Sequence, residues 1–184
     1  MKIDKPNFLK RYEVCIRKDL HTISLTAEGD NDAQFLVHVC DFQSASMSGC
    51  DEYAYKNVHS LLPPSNSSKL PMFILPGDND WNDCPHPDTA WGHFWNYFGR
   101  FEELWDVSHL LVRRQKSREE NFSMYKDGVL FVGMNIVGGT VHDPVEWMER
   151  MENNMEWFME SVAQPKSTGS WPINQRVSNT LHNQ

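Results

Sequence analysis

The sequence predicts an α/β fold on three observations. Apolar runs of strand length occur at 34–40, 70–75 and 128–137, and the segments between them carry apolar residues at helical spacing. Strands therefore alternate with helices along the chain, which favours helices layered on a sheet. The 184 residues suffice for one domain with a substantial core, since domains near 150 residues bury about two-thirds of their unfolded surface. The chain divides into a poorly patterned segment over 1–29, a folded domain over 30–163 and a disordered Pro/Ser/Asn/Gln-rich tail over 164–184.

Taken in order, residues 7–25 place Phe8, Leu9, Tyr12 and Ile16 on one helical face, although Tyr12–Ile16 would equally suit a short strand. Residues 27–32 are turn chemistry, with Gly29 followed by Asp30-Asn31-Asp32. Gln34–Cys40 is a nearly continuous apolar run, the mark of a strand buried on both faces. Residues 42–50 read as loop. Residues 51–62 offer Tyr53, Val58, Leu61 and Leu62 to a helix that stops at Pro63-Pro64. Leu70–Leu75 is the second strand.

Residues 88–106 then place Trp91, Phe94, Trp95, Phe98, Phe101, Leu104 and Trp105 on one wide helical stripe. Residues 107–121 are polar and poorly patterned. Gly128–Val137 is the third strand, closed by Gly138-Gly139. A last helix spans 144–162. Asp143 caps it, Pro144 occupies its first position, and Trp147, Met151, Met155, Phe158 and Met159 line one face.

Composition excludes several classes. The formal charge is -8, from 17 Lys+Arg against 25 Asp+Glu, which argues against a general nucleic-acid binder. No run approaches the roughly 18 apolar residues of a membrane span, and the first residues lack a signal peptide's apolar stretch. Cys15, Cys40, Cys50 and Cys84 form no Cys-x-x-Cys pair, so a zinc knuckle or thioredoxin-type site is not expected.

Acidic residues follow two of the strands: Asp41 after the first, and Asp78-Asn79-Asp80 after the second. Functional groups in open α/β sheets gather at the carboxyl ends of strands, and short carboxylates there suit hard divalent cations. At these residues the chain resembles the calcineurin-like metallophosphoesterases. His38-Val-Cys-Asp41 and Pro76-Gly-Asp-Asn-Asp-Trp-Asn-Asp-Cys84 are similar to the branch whose box reads Gly-Asp-Asn-Glu-Trp-Thr-Asp-Cys. Cys50–Tyr53, the aromatic stretch Phe98–Trp105 and Val129–Gly139 also look like that branch, so the resemblance covers about residues 30–162.

The resemblance implies a layered α-β-β-α sandwich, here incomplete, with a divalent metal centre (Mn, Fe, Zn or Mg) that hydrolyses phosphoesters. It places Asp41 on the bridging metal ligand and Asp78 on a second ligand. Asn79 falls where the family has its proton-donating His, and Asp80 on the acidic residue after it. It also implies a Cys50–Cys84 disulfide, closing a loop of about 35 residues and worth roughly 3–4 kcal/mol, and with it an oxidising compartment.

The chain departs from the family pattern at Cys40, where Gly is usual, and at Asp19-Leu20-His21, the sole candidate for the upstream Asp-x-His. It also lacks the later His and Gly-His-x-His ligands. His93, His142 and His182 read as packing, surface or capping residues, and His38 as a core or supporting group. The expectation is a family relative that binds at most one metal, through Asp41 and Asp78, and hydrolyses little or nothing alone. The competing expectations are a non-catalytic interaction protein on the inherited scaffold, its Met-rich last helix a conceivable partner surface, and an enzyme that completes its site with Asp19 and His21 or a partner chain.

Overall fold

The computed structural model describes residues 33–39, 41–45, 50–62 and 70–164. The segment before residue 33 and the tail after 164 lie outside these. So do the expected Asp19-Leu20-His21, Cys15, Cys40 and His182.

The fold is a mixed α/β arrangement with two small sheets. Strands β1 (Leu36–Val39) and β2 (Met72–Leu75) run parallel, in register from Leu36↔Met72 to Val39↔Leu75. A parallel pair needs a crossover, and helix α1 (Glu52–Leu61) lies within it. Asp51 caps α1 by accepting from the Ala54 N–H at 3.0 Å. Helix α2 (Pro87–Phe98) follows, then 3₁₀ turns at Phe101–Leu104 and Ser108–Leu110. The antiparallel sheet β3 (Arg113–Arg114), β4 (Phe122–Lys126) and β5 (Val129–Gly133) comes next, and helix α3 (Pro144–Ala163) closes the described chain.

Strand β2 is the keel of the core. All four of its residues are buried, and alternate side chains serve different clusters. Met72 and Ile74 join Phe42, Tyr55, Val58, Phe94, Phe98 and Val137 on the α1/α2 side. Phe73 and Leu75 join Leu110, Phe122 and Met124 toward the antiparallel sheet, with the Phe73 and Phe122 rings stacked at 4.8 Å.

Four sequence expectations need correction. First, the burial of both faces expected for 34–40 holds for β2 and not for β1, where Val37 and Val39 are 40% and 56% exposed. Val37 and Val39 alternate with Leu36 and His38, so among the described residues one face of β1 is left uncovered. Second, the strand expected over 128–137 ends at Gly133 and is the second arm of a hairpin whose first arm, β4, has no counterpart among the expected strands. Lys126 pairs with Val129 across Asp127-Gly128, both at positive φ, the two-residue turn that Asp-Gly favours.

Third, the helix expected over 88–106 stops at Phe98. Arg100 takes a left-handed conformation, and the apolar stripe is carried onward by a 3₁₀ turn that still buries Phe101. Fourth, α3 has the expected bounds and N-cap, with Asp143 Oδ1 accepting from the Val145 and Glu146 N–H groups, but it packs through another face.

The buried residues of α3 are Arg150, Asn154, Trp157 and Ser161, whereas Met155, Phe158 and Met159 of the expected stripe are exposed. The reason is a hydrogen-bonded polar seam. Asn121 Nδ2 donates to Gln115 Oε1 and Asn154 Oδ1, both at 2.7 Å, and Asn154 Nδ2 donates to the Asn135 carbonyl at 2.9 Å. Asn121 Oδ1 accepts from the Asn135 N–H at 2.7 Å, and Arg150 Nη1 donates to Glu120 Oε1 at 2.9 Å. Mutual satisfaction removes the desolvation penalty that makes such groups avoid cores.

Candidate functional site

Because β1 and β2 end level, the residues that follow them meet at one end of the sheet. Asp41 Oδ1 accepts from the Asn79 N–H at 3.1 Å and Asp41 Oδ2 from Asn79 Nδ2 at 3.2 Å. The same Asn79 N–H lies 3.0 Å from Asp78 Oδ1, so the two carboxylates share one donor. Gly77 makes this approach possible: a Cβ there would sit 2.0 Å from Asp41 Oδ1 and 2.8 Å from Asp41 N.

Asp80 turns the other way. It is fully buried, and its carboxylate accepts from the Phe42 N–H at 2.9 Å and the Gly77 N–H at 3.0 Å. It thus clasps the loops after β1 and β2 together. Tyr55 Oη donates to the Asp80 carbonyl at 2.7 Å, tying α1 to the same point. Cys50 and Cys84 form a disulfide with Cα atoms 5.9 Å apart, which fixes the start of α1 to the end of the Pro76–Cys84 loop.

The electrostatics follow from this crowding. Burial raises the Asp41 carboxyl above its ordinary value. The Asn79 N–H opposes the rise, and the neighbouring Asp78 and Asp83 charges add to it. Burial pushes Asp80 up to about 7, against the Gly77 and Phe42 N–H groups and with help from Asp41 and Asp78. Carboxylates drawn together in this way favour a cation, and all their donors are hard oxygens.

The structure brings Asp41, Asp78 and Asn79 together and sets Asp80 behind them. A third segment, the Gly138-Gly139 terminus of the expected third strand, completes the rim. Gly139, at φ +65, passes so close that a Cβ would lie 3.0 Å from Asp78 Oδ2. Asn82 Nδ2 donates to the Thr140 carbonyl at 3.1 Å, and Asp83 Oδ1 meets His142 Nε2 at 3.0 Å. The Gly-Gly pair was the available signal for this loop. His142 therefore pairs with Asp83 at the exposed rim, His93 packs against Tyr55, and the His38 ring stacks on Phe42 at 4.2 Å.

Asp41 and Asp78 are the two carboxylates that could offer oxygen ligands to a hard cation at this end of the sheet. Among the described residues, no group of three or more His, Cys, Asp or Glu side chains is placed to hold a metal ion. No helix of the described residues is long and apolar enough to cross a membrane. No protein-family model, curated protein or solved structure matches this chain.

Proposed function

We propose that this chain is a relative of the calcineurin-like metallophosphoesterases, built on an incomplete α-β-β-α sandwich, that retains a one-cation site at Asp41 and Asp78 and hydrolyses phosphoesters weakly or not at all. The observation that supports it most is the pair of carboxylates sharing the Asn79 N–H at level strand ends, beside a glycine that leaves no room for a side chain. A bound divalent cation would polarise a phosphoryl oxygen and acidify its water. The protein's own contribution is positional. Asp41 and Asp78 supply oxygen ligands, Asn79 orients Asp41, and Asp80 fixes the loops that carry them.

Asn79 spends its amide on Asp41 and has no acidic proton for a leaving group, so general-acid help worth about 10²–10⁴-fold is missing at that position. The Cys50–Cys84 bridge supports an oxidising compartment. Calorimetric titration with Mn²⁺, combined with hydrolysis of an aryl phosphate, tests the reading. One weak site that Asp41→Asn abolishes, with little or no turnover, is expected. No Mn²⁺ binding at all, or two tight sites with turnover that Asp41→Asn removes, would overturn it.

A second reading, a non-catalytic interaction protein on the same scaffold, is favoured by the outward face of α3. There Met148, Met155 and Met159 are 55%, 62% and 60% exposed, an adaptable apolar surface. Absence of Mn²⁺ binding together with a specific partner captured through that face would favour it.

A further inference from the structure

A cavity of about 460 Å³ opens between the last turn of α3 and strands β3, β4 and β5, within the range of small-ligand sites. Its wall is apolar: Leu111, Val112, Met124, Leu130 and Val162. Three of these remain open to solvent, with Leu111, Leu130 and Val162 54%, 36% and 48% exposed. Leu111 does so from a left-handed backbone, φ 49, a conformation that L residues other than glycine and asparagine rarely adopt. Apolar side chains gathered at one cavity and left half uncovered mark a surface that something else covers.

Charge narrows the occupant. Arg113 is the one charged residue of the lining, and it is already engaged. Its guanidinium pairs with Glu160 at 2.5 Å and lies over the Trp157 ring at 5.4 Å. An anion therefore finds no free cation here, and a cation finds no carboxylate in the wall. What the cavity rewards is apolar area.

The course of the chain supplies a candidate. Gln164, the last described residue, itself lines the cavity. Its backbone is extended, at φ -59 and ψ 134, and Pro165 follows, which cannot continue the helix. Residues 165–170, Pro-Lys-Ser-Thr-Gly-Ser, carry no large apolar side chain, and Trp171 is the first. An indole buries more apolar area than almost any other side chain.

Seven residues separate Trp171 from Gln164, so the connection spans at most about 25 Å. Trp171 is thereby held near the cavity at an effective concentration on the order of millimolar. The other end of the described chain is placed differently. Phe35 packs on Phe131 at 5.0 Å, and successive strand residues point to opposite faces, so Phe35 lies across the sheet from Leu130.

We infer that this cavity is an intramolecular docking site for Trp171 of the chain's own C-terminal segment. Neither Asp41 nor Asp78 lines it, so it stands independently of the cation site. The test is fluorine NMR of the full chain with its seven tryptophans replaced by fluorotryptophan, the Trp171 signal being assigned by its loss in Trp171→Phe. A neutral nitroxide in solution reads exposure through the relaxation it causes. Trp171 should relax about twofold or more slowly than free fluorotryptophan, since an effective concentration equal to the dissociation constant already fills half the cavities.

Val162→Lys should return that signal to the free value while keeping or raising the melting temperature, because lysine suits a helix and its C-terminus better than valine. Met155→Lys, on the same helix and outside the cavity, should leave it unchanged. A Trp171 signal relaxing like the free amino acid would overturn the inference and leave the cavity to an outside partner. So would protection that survives Val162→Lys, protection lost equally in Met155→Lys, or protection that fades on dilution, which would assign the cavity to the segment of a second copy.

Discussion

Replacing Gly77 by alanine probes the contact that builds the carboxylate pair. The new Cβ would lie 2.0 Å from Asp41 Oδ1 and 2.8 Å from Asp41 N, both inside the 3.0 Å that such contacts essentially never breach. Rotating the carboxylate relieves the first clash and not the second, so the loop after β1 must retreat by several tenths of an ångström or more. The Asn79 bonds to Asp41, already 3.1 and 3.2 Å long, would then leave bonding range.

Hydrogen bonds to a charged group contribute about 1.5–3 kcal/mol each, and partial exposure here sets the combined loss near 2–3 kcal/mol. For a domain of this size that corresponds to roughly 4–12 °C in melting temperature, read by circular dichroism. Mn²⁺ affinity should fall with it. Gly92→Ala is the control of opposite sign: with open space around the added methyl, it should raise the melting temperature by a few degrees. If the two variants melt alike, the close approach at Gly77 is not what organises the site, and the reasoning fails.

The other expectations concern stability. Reducing the Cys50–Cys84 bridge, or replacing both cysteines by serine, should cost about 3–4 kcal/mol for this 34-residue separation; a melting curve unmoved by reductant would contradict that. Glu120→Ala strips a partner from the buried Arg150 and should cost about 3 kcal/mol in urea unfolding, whereas Glu160→Ala, breaking the exposed pair with Arg113, should cost less than about 1 kcal/mol. Equal costs would rule out the importance of burial. His59 lies against the Tyr97, Phe98 and Phe101 rings, and burial lowers its pKa below the ordinary 6.5. The unfolded chain therefore takes up the proton first, and stability should fall as pH drops through about 6.5. His59→Gln should flatten that part of the melting-temperature profile, and an unchanged slope would exclude His59 as its source.

Periodicity made β2, α1 and α3 legible because each is bounded by strong local chemistry: an uninterrupted apolar run, the Pro63-Pro64 stop, or Asp143-Pro144. It misread β5 because Gly133-Met-Asn-Ile-Val137 is apolar enough to extend a strand on paper, while the Asp127-Gly128 turn lay just before it. The face of α3 was lost for a different reason. Hydrophobicity ranks Met above Asn at every position, yet Asn154 finds Asn121 and Asn135 from other parts of the chain, and such pairing is invisible to a local pattern. At the site, Asp41 and Asp78 were legible as strand-end carboxylates. Gly139 and the Asn79 clasp depend on where a distant loop returns.

The polar seam beneath α3 also has a mechanical consequence. A helix seated on a purely apolar groove can slip by a turn, about 5.4 Å, while exchanging one greasy contact for another. Here such a slip would pull Arg150 from Glu120 and Asn154 from Asn121 at once, each leaving a buried group unmet at about 1–3 kcal/mol. The seam works like the teeth of a key, admitting one axial setting. Anything that rests on the outer methionines therefore meets them at a fixed height and angle relative to the rest of the molecule.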